Sequence, residues 1–270
     1  TRADLLLVFT HLRNRAWKEA ETTARTLTGK QPDDPVPLNL LGAALAGQGQ
    51  FEQARQQYEA ALKADATYVN AHMNLASLDA RTGDVGAAQK RYKAVLVSEP
   101  EHEQATMGLA RLQAQGERLD GAIELLEGLR VRNSQTVQAR TALANIYIRQ
   151  GKTANALKAA EEAAHLAPNA PGVLLILGQS LAADGQHRGA LTIFEKLARG
   201  QSRSADAQYQ LALAQIRINE LTDALDQLRL ALQISPEHFA ARTALGSLQV
   251  RLGNTDAALD TAADVEQRFP

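Results

Sequence analysis

Leucine and alanine return along this chain with a period of 34 residues, and between them the apolar positions recur at spacings of three and four. In rows of 34, the seventh column reads Leu7, Leu41, Leu75, Leu109, Leu143, Leu177, Leu211 and Leu245. The twentieth reads Ala20, Ala54, Ala88, Ala122, Ala156, Ala190, Ala224 and Ala258. The rows are 1–34, 35–68, 69–102, 103–136, 137–170, 171–204, 205–238 and 239–270, with no insertion or deletion. In the second row, Leu38, Leu41 and Leu45 mark one face of a first helix. Gly47 and Gly49 interrupt it, and Phe51, Ala54, Tyr58, Ala61 and Leu62 mark a second helix. Gly83, Gly116, Gly151, Gly185 and Gly253 place the same break in other rows, with Asp84, Thr153 and Asn254 behind it as candidate N-caps. Pro32, Pro100, Pro168, Pro236 and Pro270 share column 32 and close the second helix, because proline lacks the N–H and clashes with the preceding turn. The pattern predicts two antiparallel helices per row and one helical array over 1–270.

Small residues predict how the helices approach. Column 8 holds Gly42, Ala76, Ala110, Ala144, Gly178, Ala212 and Gly246, with Val8 the exception, and column 20 is alanine throughout. Such pairs let helix axes come together near the short end of the usual range of roughly 8–10 Å. Column 24 (Tyr58, Tyr92, Leu126, Phe194, Leu228) is expected to fill the gap to the next pair. No row buries its apolar face alone, so Leu5, Phe9 and Leu12 at one end and Leu259 and Val265 at the other are expected to lack a cover.

Leu41, Gly42, Gly49, Ala54, Tyr58 and Ala61, in columns 7, 8, 15, 20, 24 and 27, carry a family resemblance, as does the column-32 proline. Over a 34-residue period the chain resembles the tetratricopeptide repeat (TPR) across its whole length. The resemblance implies a right-handed superhelical solenoid of eight helix-turn-helix units. The family's large aromatic in column 4 is absent: Asp4, Leu38, His72, Thr106, Arg140, Leu174, Gln208 and Arg242 stand there. Its column-11 tyrosine survives only as Tyr147. The stretches from Ala3 to Ala20 and from Lys30 to Arg55 are also similar to units of the long TPR lipoproteins that accompany exosortase (PEP-CTERM) sorting and exopolysaccharide clusters. That resemblance implies a periplasmic or outer-membrane-anchored protein, with a lipid signal outside this chain; the alternative is a cytoplasmic one. The start at Thr1 and stop at Pro270 read as cuts at repeat borders.

Composition narrows the chemistry. A formal charge of −1 gives no reason to expect nucleic acid or an anionic membrane as partner. Cysteine is absent, so there is no disulfide framework and no thiolate metal site. No apolar run approaches the roughly 20 residues of a membrane span. The six histidines never take metal-ligand spacing, and no HExxH or GxSxG is present. Gly47-Gln48-Gly49 lacks the preceding strand that a dinucleotide fingerprint needs. The carboxylates read mostly as solvated charges beside Lys and Arg on second helices. Trp17 shares its column with Phe51, Val85, Leu119 and Leu221, which predicts a structural place at the head of the second helix. No catalytic, cofactor or metal residue is expected.

A binding face does emerge. In the family, first helices line a concave groove. Column 13 supplies Arg81, Arg149, Arg217 and Arg251, and Arg111 joins them from column 9. Asn39, Asn70, Met73, Ser77, Asn145, Gln179 and Tyr209 complete the predicted groove. Guanidinium groups suit carboxylates and sugar acids because their planar donors bind in pairs. The competing reading places column 13 at a helix end, where a cation meets the helix dipole. A Lys/Asn/Arg carboxylate clamp and a one-column asparagine ladder, two binding devices of the family, are both absent from these columns. The expected function is a non-catalytic scaffold holding a protein or peptide segment in exopolysaccharide assembly, export or PEP-CTERM sorting. The alternatives are direct binding of an anionic polysaccharide and the regulatory arm of an enzyme lying outside this chain.

Overall fold

The structure is a computed structural model that describes residues 2–268; among them are sixteen α-helices and no strand. The first helices of the eight rows are α1 (Arg2–Arg13), α3 (Pro35–Gly47), α5 (Val69–Thr82), α7 (Glu103–Gln115), α9 (Val137–Arg149), α11 (Pro171–Ala183), α13 (Ala205–Arg217) and α15 (Phe239–Arg251). The second helices are α2 (Trp17–Lys30), α4 (Phe51–Ala64), α6 (Val85–Ser98), α8 (Leu119–Arg132), α10 (Thr153–Leu166), α12 (His187–Gly200), α14 (Leu221–Ile234) and α16 (Thr255–Arg268). Every second helix occupies the same columns of its row, so the turn between the two helices falls at the same position in all eight hairpins. The helices gather into two compact units, one ending at Arg132 and the other beginning at Asn133. Within each unit, every helix packs on the next in chain order.

The turn inside each hairpin depends on one residue. Column 15 adopts positive φ in all eight rows: Gly49, Gly83, Gly151, Gly185 and Gly253, but also Arg15 (57°), Glu117 (60°) and Asn219 (68°). In the fourth row the break therefore falls on Glu117 and not on Gly116, whose φ is −85°. An L-residue in this region costs about 1–2 kcal/mol, and asparagine is among the few that tolerate it. Glycine returns part of the gain through unfolded-chain entropy. Glu117→Gly is therefore expected to stabilise the first unit by about 0.5–1 kcal/mol, while Asn219→Gly changes little; chemical denaturation of the two variants checks this contrast.

Column 34 begins the first helices. Asp34 accepts from the Val36 N–H at 2.9 Å, His102 through Nδ1 from Ala105 at 3.1 Å, and Ser204 from Ala207 at 3.3 Å. His238 repeats the arrangement of His102, with Nδ1 3.1 Å from the Ala241 nitrogen. Asp84 caps α6 through Ala87 as expected. Thr153 does not cap α10: it is the first helical residue, and its hydroxyl donates to Asp184 at 2.9 Å. That bond and one from Gln186 hold the Asp184 carboxyl below its ordinary range.

The apolar layers explain the small columns. A Cβ on Gly42 would lie 2.5 Å from the Tyr58 ring, and one on Gly178 2.6 Å from Phe194. These column-24 rings therefore pack onto a glycine of their own hairpin, and Tyr92 packs with Ala76 of its own hairpin and against Gly108 of the next row. Tyr58 also shares its core with Leu75 and Leu78 of the next row, and Phe194 with Leu211, so these rings fill the gap to the next pair as expected of column 24. Burial pushes the Tyr58 hydroxyl above its ordinary value of 10.0. The folded chain then keeps this phenol neutral where the unfolded chain ionises it. Its contribution is complete below pH 10 and is lost as pH rises beyond that value. Alkaline unfolding curves should flatten in Tyr58→Phe.

Column 4 replaces the expected aromatic with a polar tie. His72 lies 3.0 Å from the Ala66 carbonyl, Arg140 donates to Thr136 O at 2.7 Å, and Gln208 donates to Ser202 O at 3.3 Å. Arg242 donates to Pro236 O in the same way. Each accepting carbonyl lies in the loop that enters the row. Where column 4 is apolar, at Leu38 and Leu174, the side chain is buried instead.

Candidate functional site

On the first helices, column 13 is exposed in every row and column 9 is exposed or half-buried, with column 2 beside them exposed in most rows. The spacing of seven and four keeps all three on one side of an α-helix. Every cation on a first helix is an arginine, and the lysines all lie on second helices or, for Lys152, just ahead of one. In the first unit, columns 2, 9 and 13 carry Arg2, Arg13, Arg81 and Arg111 and no carboxylate. In the second unit they carry Arg149, Arg217 and Arg251 with one acid, Asp206.

The predicted residues divide by what they already touch. In the first unit Arg111 and Ser77 are exposed, and Asn70 is exposed with its amide near the Tyr68 hydroxyl. Arg81 is exposed at its rim, but its guanidinium lies 4.4 Å over the Phe51 ring, a cation–π contact between neighbouring rows. Met73 is half-buried against the core around Tyr92 and Leu109. Asn39 departs from the expectation. It is buried, and its Oδ1 accepts from Asn74 at 2.8 Å, so it joins two first helices and offers nothing to a partner. In the second unit Asn145, Arg149 and Arg217 are exposed and Gln179 is half-buried. Tyr209 is half-buried with its ring 5.2 Å from that of His238. Arg251 donates to Asn219 at 2.8 Å across a row border.

Column 13 therefore has two duties. It faces solvent, and at Gly47, Arg81 and Arg251 it also meets the turn or the head of the second helix in the preceding row. Trp17 shows the second duty at its fullest, since a Cβ on Gly47 would lie 2.5 Å from its ring. The structural place expected for Trp17 is thus what the packing shows. Arg111 and Arg217 make no ion pair among the described residues and are the best-placed cations for an outside anion.

One buried charge cluster has no counterpart in the sequence reading. Asp79, on α5, is fully buried, with Oδ1 2.5 Å from Arg55 Nη1 and Oδ2 2.7 Å from Arg91 Nε. The carboxylate raises the Arg55 pKa further and ties α4 and α6 to α5. The sequence signal was faint: column 11 is apolar or amide in most rows and ionic only at Asp79 and His11. Among the described residues, no three His, Asp or Glu side chains are grouped to hold a metal. Among the described residues, no helix is long and apolar enough to cross a membrane.

The tetratricopeptide repeat model matches residues 73–136, 123–172, 141–205, 175–238 and 209–270, and a TPR repeat model matches 42–83. The chain belongs to the TPR family. Among curated proteins it is similar to the BBSome complex member BBS4 of Xenopus tropicalis, 27% identical over 121 residues. That alignment takes in 45% of this TPR chain and 23% of the relative, so the chain spans less than a quarter of that protein's length. Among solved structures, a tetratricopeptide repeat protein of Parabacteroides merdae superposes with a TM-score of 0.68 at 18% identity, over 92% of this chain and 98% of that one. The APC/C hetero-tetramer Cut9–Hcn1 gives 0.70 at 14% identity, over 90% of this chain and 48% of that one. TPR arrays are protein–protein interaction scaffolds, and the fold gives this chain that general role.

Proposed function

We propose that this TPR chain is a non-catalytic scaffold that receives an extended, acidic segment of a partner protein on its first-helix faces. The supporting observation is the makeup of those faces: arginine without lysine, and in the first unit no carboxylate among columns 2, 9 and 13. The chain as a whole carries −1, so the cationic character belongs to the face and not to the bulk. Arginine offers paired donors to a carboxylate and is less strongly hydrated than lysine, which favours it where each contact is shallow. The likeness to units of exosortase-associated TPR lipoproteins supports a place in the bacterial envelope, in exopolysaccharide assembly or export or in PEP-CTERM sorting. A periplasmic or outer-membrane-anchored position follows from the same reading.

Calorimetry with a glutamate-rich peptide and with an oligo-uronate tests the proposal. The peptide is expected to bind and to weaken with salt, since charges are screened beyond about 8 Å at physiological ionic strength. Arg111→Gln and Arg217→Gln should each cost up to about 1 kcal/mol, or roughly fivefold in affinity, with helical content unchanged. Tighter binding of the uronate than of the peptide would favour the polysaccharide reading. Equal affinity of both variants and wild type would return these arginines to helix-end charges.

A further inference from the structure

Column 28 of the second helices holds a leucine packed on the core in three rows, at Leu62, Leu96 and Leu232. In α12 the same column holds Ala198, and column 32, proline in most rows, holds Ser202. Ala164 is equally small, but column 4 of the row after it is the buried Leu174. After Ala198 that position is Gln208. The missing bulk leaves a cleft of about 510 Å³ among α12, α13 and α14, within the second unit. Sites for small molecules typically hold roughly 300–1,000 Å³. Ala198 and Leu211, both buried, form its apolar floor.

Polar groups converge above that floor. Gln208 is only 5% exposed, and its Nε2 donates to the Ser202 carbonyl at 3.3 Å. Gln227 lines the cleft from α14, and Glu195 and Arg199 line it from α12. The last two decide what fits. In α2 the same order and spacing closes on itself, with Glu21 and Arg25 paired at 2.7 Å. Glu195 and Arg199 make no ion pair among the described residues, and Arg199 Nε turns back to the Glu195 carbonyl at 3.3 Å. One rim of the cleft thus presents a free carboxylate and a free guanidinium, on Cβ atoms about 5–6 Å apart. A free amino acid carries both its charges on one carbon. A dipeptide sets a peptide unit between its ammonium and its carboxylate, and that unit offers the donor and acceptor that glutamine amides match.

We propose that this cleft binds a dipeptide with free ends. Arg199 takes the carboxylate through paired donors, Glu195 takes the ammonium, and the amides of Gln208 and Gln227 serve the peptide unit between them. The floor of Ala198 and Leu211 accepts small apolar side chains. None of these residues belongs to columns 2, 9 or 13, so the site is separate from the arginine face and does not depend on what that face receives.

Titration of the chain with alanylalanine, followed by NMR at the methyl groups of Ala198 and Leu211, tests this. Saturable shifts are expected. Acetylating the amino end of the dipeptide, amidating its carboxyl end, Glu195→Gln and Arg199→Gln should each weaken binding about fivefold. Glu195→Gln should cost nothing further with the acetylated dipeptide, because the pair it breaks is already gone. Ala198→Leu, which restores the column-28 residue of α4 and α6, should abolish binding while circular dichroism stays unchanged. No shift up to about 10 mM dipeptide would overturn the proposal. So would binding that survives Ala198→Leu, or equal affinity for the free and the capped dipeptides.

Discussion

Asp79→Ala is expected to lower the stability of the first unit by about 2–4 kcal/mol. Removing one member of a buried ion cluster strands its partners, and losses of about 3–5 kcal/mol are typical when the stranded charge is fully enclosed. Here Arg55 and Arg91 keep 24% and 23% of their side-chain surface in solvent, so water offsets part of the cost. The two guanidinium groups would then lose the carboxylate they share, with only Glu52 and Glu59 on α4 near Arg55. The triple change Asp79→Leu, Arg55→Met and Arg91→Met should instead fall within about 1 kcal/mol of wild type, because an apolar cluster needs no desolvation. The chain supplies its own precedent, since Leu45 fills the same column in the preceding row and is buried. Hydrogen exchange at the amides of α4, α5 and α6 is the appropriate measure, as repeat arrays need not unfold in a single step. A triple variant as unstable as Asp79→Ala would show that the ion cluster itself, and not the stranded charge, holds the rows together.

In the second unit, Gly178→Ala should destabilise by up to about 2 kcal/mol even though alanine is the better helix former. The propensity gain is about 1 kcal/mol. Against it, the new methyl would lie 2.6 Å from Phe194 ring carbons, and overpacking of this kind costs about 1–3 kcal/mol. Phe194→Leu in the same background should recover much of the loss, so the pair couples favourably in a double-mutant cycle. Gly29→Ala is the control: no atom outside its own helix lies within 4 Å of the added Cβ, so it should gain up to about 0.5–1 kcal/mol. Opposite signs for the two glycines would confirm that contact, not backbone freedom, governs column 8.

The helices and their borders were legible because each is set by residues within one row. Leu41, Gly49, Ala54 and Pro32 each act through spacing, turn geometry or a missing N–H, all of them local. What escaped was pairing between rows. Asn39 looked like a groove residue from its column, yet its fate depends on Asn74, 35 positions away and one column displaced. Arg81 carries the same signal as Arg217 in a column reading, but Phe51 occupies only the first. Asp79 resembled any other carboxylate until two arginines from flanking helices closed on it. Glu117 and Gly116 differ by one position, and only the backbone tells which bears the turn. The exposed arginine face was legible as composition, while the split between arginines engaged at row borders and arginines turned to solvent was not.

The absence of lysine from the first helices has a practical side. Amine-reactive dyes, biotin esters and resin couplings attack ε-amino groups, and here those groups sit at Lys18, Lys30, Lys63, Lys90, Lys93, Lys152, Lys158 and Lys196, on the second helices or just ahead of one. Lysine-directed attachment therefore tethers the molecule by its second helices and leaves Arg111 and Arg217 presented to whatever flows past. Dicarbonyl reagents that modify guanidinium groups act on the opposite selection, so the two chemistries together can report which face a captured partner shields.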